Sequence, residues 1–156
     1  MGYTHYIDAK RTLSKRSFKK ITADVKVIEQ FMKRIGQPLF DGGGENEGVE
    51  YSDSRIAFNG DYSKGDGHET MCITDWVFGG DSIKTARKPY DLAVVMTLLS
   101  IRRHCPASSI IIRTDGNTDD WKEAIDTFNE LFPEVNDTFV VKKTKSGQGL
   151  LISANS

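Results

Sequence analysis

Lys84-Thr85-Ala86-Arg87-Lys88-Pro89-Tyr90-Asp91 runs directly into Leu92-Ala93-Val94-Val95-Met96-Thr97-Leu98-Leu99-Ser100-Ile101 and closes on Arg102-Arg103-His104. Pro89 has the fixed φ suited to a first helical position, and Asp91 places a carboxylate in the first turn, where unpaired backbone N–H groups collect. Three basic side chains at the far end complement the carbonyl terminus, and Cys105-Pro106 does not continue a helix. Between these limits the apolar residues cover most of the circumference. A helix of that kind is packed on several sides, so the rest of the chain is expected to wrap it.

Working outward, the apolar set Phe18, Ile21, Val25, Ile28, Met32 and Ile35 follows the three-to-four spacing of one helix face and stops before Gly36 and Pro38. Trp121, Ala124, Ile125, Phe128, Leu131 and Phe132 mark a third helix, ended by Pro133, with its cap at Asp120 or its boundary near Thr118. Strands are read at residues 1–8, at 56–59 and 69–73 across a glycine-rich hairpin, at 109–113 and at 138–143. Trp76, Val77 and Phe78 lead into a second glycine turn at Gly79-Gly80. Residues 41–48, with four glycines and no apolar anchor, read as a mobile loop. The order is β-α-β-β-α-β-α-β. It describes an α+β domain over residues 1–145, with a mixed sheet, a buried central helix and two amphipathic helices. Residues 146–156 form a tail or an edge strand.

The 156 residues suit one domain, and a net charge of −1 excludes a protein that holds nucleic acid by bulk positive charge. Two cysteines, Cys72 and Cys105, are too few for a disulfide framework or a four-cysteine zinc site. No apolar run approaches a membrane span, and the N-terminus has polar and aromatic residues where a signal peptide needs an apolar core. A cytoplasmic location is expected.

Chemistry is sought first where the central helix begins. Lys84, Arg87 and Lys88 gather positive charge beside a helix N-terminus, and Thr85 and Tyr90 add hydroxyl donors, a setting that favours a phosphate or carboxylate. Tyr3, His5, Asn59 and His68 lie on strands expected to adjoin it. The glycine loop carries no phosphate-binding motif, and its Glu45 and Glu47 would repel a phosphate. Residues 115–120 imitate the opening of an EF-hand loop but lack its glycine and its bidentate glutamate, so they read as a turn and helix cap. None of the histidines, His5, His68 and His104, sits in a recognisable nucleophile motif. No catalytic residue, metal ligand or cofactor site is assigned.

Gly2-Tyr3-Thr4-His5-Tyr6, Ile56-Ala57-Phe58-Asn59-Gly60-Asp61 with Gly67-His68-Glu69-Thr70, and above all Lys84-Thr85-Ala86-Arg87-Lys88-Pro89-Tyr90-Asp91 resemble a group of small uncharacterised proteins encoded by bacteriophages and bacteria. The resemblance implies a phage or prophage setting and assigns no catalytic residues. The leading expectation is therefore a binding module for a phosphorylated, nucleotide-like small molecule, held without turnover, with sequestration of a host defence signal as one use. The alternatives are a metal-assisted phosphodiester hydrolase or nuclease, built on His68 or His5 with Asp115 or Glu69, and an inhibitor of a host protein whose glycine loop orders on contact.

Overall fold

A computed structural model describes residues 3–75, 80–135, 137–144 and 147–153. The elements are β1 (Thr4–Ala9), α1 (Lys15–Arg34), β2 (Glu50–Tyr51), β3 (Arg55–Phe58), a 3-10 turn (Tyr62–Lys64), β4 (Met71–Thr74), β5 (Gly80–Lys84), α2 (Asp91–His104), β6 (Ile110–Thr114), α3 (Thr118–Leu131), β7 (Thr138–Thr144) and β8 (Gly147–Ser153). The chain is a single α+β domain.

α2 is its axis. Every residue from Ala93 to Arg102 is buried, because the helix touches α1, α3, β6 and β8 at once. α1 lays its stripe of Phe18, Ile21, Val25, Ile28 and Met32 into the same core, and the Ser14 side chain caps it by accepting from Ser17 N–H at 3.0 Å. Gly36, at φ 80°, ends it. One charged residue of α1, Asp24, also lies on the buried face. It is buried against α2, where it accepts from Ser100 Oγ at 2.7 Å and pairs with His104 Nε2 at 2.9 Å. α3 is capped by Asn117, with Asp120 completing the capping box.

Five strands run in the order β5-β1-β6-β8-β7, and β2-β3-β4 form a second sheet. All pairings among the described residues are antiparallel, so the mixed sheet expected from the sequence is corrected to two antiparallel ones. β8, expected at an edge or frayed, lies between β6 and β7. Its Leu150 joins the core, and its glycines hid the strand signal. β5 leads into the basic turn and begins at Gly80, so that half of the glycine turn expected at Gly79-Gly80 is strand; residues 76–79 lie outside those described. The loop at 41–48 is closed rather than loose: Phe40 bridges both Glu47 and Asn59, and Asp41 Oδ1 accepts from Glu45 N–H at 2.9 Å. Gly44 is required in this loop, since a Cβ there would stand 2.1 Å from the Tyr62 ring.

In the five-stranded sheet, His5, Ile7, Ala9, Ile110, Ile112 and Thr114 face the helices and are buried, while Thr4, Tyr6, Asp8, Ile111 and Arg113 face outward. No helix among the described residues is long and apolar enough to cross a membrane.

Leu98→Ala empties space at the centre of this packing and should cost about 3 kcal/mol, whereas Val27→Ala on the exposed side of α1 should stay within about 0.5 kcal/mol. Urea unfolding of the two variants checks this, and equal losses would contradict α2 as the axis.

Candidate functional site

The turn between β5 and α2 is built against the first strand. Tyr3 C=O accepts from Thr85 N–H at 3.0 Å and from Ala86 N–H at 3.3 Å. To make that bend, Ala86 and Arg87 adopt φ of 51° and 57°, a left-handed conformation that costs roughly 1–2 kcal/mol for each residue with a Cβ. The bend sets the Arg87 guanidinium over the Tyr3 ring, with Cζ 3.9 Å from its centroid, and brings Nη1 to 3.2 Å from Asp120 Oδ1. Pro89 therefore lies in the turn instead of at the first helical position, and α2 starts at Asp91 with no side-chain cap. Its first N–H is not open to an anion, because it donates to Lys88 C=O at 2.8 Å.

Beneath this turn runs a buried polar chain. His5 is fully buried. Its Nδ1 lies 2.8 Å from Thr114 Oγ1 and its Nε2 lies 2.8 Å from Asp91 Oδ1. Thr114 Oγ1 also accepts from Gly116 N–H at 3.0 Å and from Trp121 Nε1–H at 3.3 Å. The Tyr3 phenol also hydrogen-bonds this hydroxyl, so the tautomer is fixed from the other side. An ionised Asp91 only accepts, which puts the proton of a neutral His5 ring on Nε2 and leaves Nδ1 to the Thr114 hydroxyl. Nδ1 is then an acceptor, and Nε2 carries the proton donated to Asp91. Thr85 Oγ1 donates to the same Oδ1 at 2.5 Å. Asp91 thus receives two buried donors on one oxygen. Its Oδ2 has no hydrogen bond among the described residues, and the carboxylate remains 20% exposed.

Asp91 lines a cavity of about 310 Å³ between the start of α2, the end of α1 and the first turn of α3. Tyr3, Gln37, Arg87, Lys88, Asp120 and Glu123 join Asp91 on its polar side, and Met32, Leu92, Val95 and Ala124 are on its apolar side. The size is at the lower end of small-ligand sites, which run from about 300 to 1,000 Å³. Backbone donation from Asn117, followed by the Arg87 guanidinium, holds the Asp120 carboxyl below its ordinary value. Burial, then the charges of Asp91 and Asp120, push the Tyr3 phenol up to about 12. Gly116 makes room for that phenol: a Cβ there would stand 2.3 Å from the Tyr3 hydroxyl oxygen.

Comparisons with protein-family models, curated proteins and solved structures find no match.

Of the residues expected to bind a ligand, Tyr3, Arg87 and Lys88 line the cavity, while His5 and Thr85 stand behind Asp91. The others serve the neighbouring backbone. Asn59 ties the hairpin, donating to His68 C=O at 2.9 Å and accepting from His68 N–H at 3.0 Å. His68 Nδ1 reaches Lys84 C=O at 2.8 Å, and Lys84 N–H donates to Glu69 Oε2 at 2.6 Å. Tyr90 is buried and donates to Glu69 C=O at 2.5 Å. The three stretches 3–6, 56–70 and 84–91 consequently meet at one place.

Asp91, Asp120 and Glu123 join the site without having been singled out for it. The only sequence signal for Asp91 was its place in the first helical turn. Thr114 gave no signal, because its role depends on which strand lies beside β1. His5 and Asp115 do not share a cleft, since Asp115 bonds Thr4 N–H at 3.1 Å and Tyr6 Oη at 3.3 Å on the outer side of the sheet. No cluster of three or more metal-ligating side chains occurs among the described residues.

Thr114→Val leaves His5 Nδ1, Trp121 Nε1–H and Gly116 N–H without their shared partner and should cost about 3 kcal/mol or more, at roughly 1–3 kcal/mol for each buried unsatisfied group. Thr114→Ser keeps the hydroxyl and should lose about 1 kcal/mol. Thermal unfolding of the pair reads the difference, and indistinguishable variants would remove the hydroxyl from its assigned place.

Proposed function

We propose that the cavity at the start of α2 binds a phosphorylated small molecule of nucleotide size and holds it without turnover. The observation that carries this reading is the fixed Arg87: two left-handed residues and the Tyr3 ring hold its guanidinium at the rim, beside Lys88. A planar guanidinium held in place is suited to bidentate contact with phosphate. Its pairing with Asp120 does not bar that role, because Arg87 is 60% exposed there and such surface pairs contribute only about 0–1 kcal/mol.

Stacking of a base on Tyr3 is not part of the proposal, since Arg87 covers that ring. The exposed part of the Arg87 guanidinium offers a cationic surface for a base instead. Binding is favoured over hydrolysis because both ring nitrogens of His5 are engaged within the fold and His68 Nδ1 is held by the Lys84 carbonyl, away from the cavity lining. In the phage or prophage setting implied by the resemblance, such a protein would sequester a host signalling nucleotide.

Thermal-shift and calorimetric titration with inorganic phosphate and with mono-, di- and cyclic nucleotides tests the reading. A ligand at a hundred times its Kd should stabilise the protein by about 2.7 kcal/mol, and Arg87→Ala should weaken binding at least tenfold. Absence of stabilisation by every compound at 10 mM would overturn it.

A further inference from the structure

We infer that the ligand also carries an amino donor, and that Asp91 Oδ2 selects for it; this rests on the phosphorylated-ligand reading above. The charged part of the lining has two cations, Arg87 and Lys88, against three carboxylates, Asp91, Asp120 and Glu123, with Gln37 as a neutral amide beside them. A ligand that is only an anion is poorly matched to that lining. One that combines a phosphate with a hydrogen-bond donor fits both signs.

The donor's address follows from the buried chain. Oδ1 of Asp91 is occupied by His5 Nε2–H and Thr85 Oγ–H, both fully buried, so neither can turn toward the cavity. The oxygen left for a ligand is Oδ2, and a carboxylate oxygen only accepts. The ligand class this selects is a nucleotide whose base bears an exocyclic amino group, with the phosphate on Arg87 and Lys88 and the amino group on Asp91.

The same chain fixes what an amide would do at this position. In Asp91→Asn the amide oxygen must face the two buried donors, which forces the NH₂ group into the cavity. Acceptor becomes donor with almost no change of shape, and the preference should reverse.

Calorimetry with AMP, with purine riboside 5′-monophosphate, which lacks only the 6-amino group, and with IMP, which has an oxygen there, reads this directly. Wild-type protein should bind AMP at least tenfold more tightly than purine riboside 5′-monophosphate. Asp91→Asn should bind IMP more tightly than AMP. Equal wild-type affinity for AMP and purine riboside 5′-monophosphate would overturn this inference while leaving the phosphate reading intact, and that comparison holds even if the variant does not fold. A preference carried by the ribose, seen as loss of binding by 2′-deoxy-AMP with no effect of the amino group, would overturn it equally. Failure of all these nucleotides to bind at 10 mM would overturn the phosphate reading itself.

Discussion

A histidine with no access to water must find a partner for each ring nitrogen, and the neighbourhood of His5 is arranged around that demand. Burying an unpaired imidazole nitrogen costs on the order of 1–3 kcal/mol, enough to decide how the surrounding elements sit. Thr114 on β6 meets one nitrogen and Asp91 at the head of α2 meets the other. The bonds therefore join β1, β6 and α2, and Trp121 draws in α3 through the same hydroxyl. Apolar packing supplies most of the cohesion here, but it is non-directional. The polar chain sets how α2 is turned, and hence which edge of Asp91 reaches the cavity.

The strained turn is the counterpart of that chain on the open side. Tyr3 C=O holds two successive N–H groups of the turn, and the resulting left-handed pair places Arg87 over the Tyr3 ring. Without that bend, Arg87 would be an ordinary solvated side chain. Tyr3 in turn fits because residue 116 has no side chain to displace its hydroxyl. Sequence, backbone strain and ring packing thus combine to give a long flexible cation one position. Strain concentrated beside a cavity is consistent with a binding role, since a preorganised cation loses less entropy on contact.

The sequence was most informative where one residue's neighbours lie along its own helix. The all-round apolar run of α2, the stripe of α1 and the three-helix count were legible because helical periodicity is local. Strand order was not, since it depends on which distant segments pair. Two antiparallel sheets replaced one mixed sheet for that reason, and β8 proved to be interior. The site divides in the same way. Arg87 and Lys88 were visible as charge near a helix start, whereas Asp91 looked like a dipole-complementing residue and Thr114 like the end of an apolar strand. Asn59 and His68 were drawn into the expected site by proximity of type, but the Asn59 amide is committed to the hairpin backbone and His68 Nδ1 to the Lys84 carbonyl.

Held between its two partners, His5 carries its proton on Nε2, directed at Asp91, with Nδ1 accepting from Thr114. Long-range ¹H–¹⁵N correlation of the histidine side chains at neutral pH tests it most directly. The account predicts a single tautomer for His5, with Nε2 protonated and slow to exchange with solvent and Nδ1 bare. A proton found on Nδ1, or rapid averaging between tautomers, would mean that Asp91 is not held as described and would contradict it.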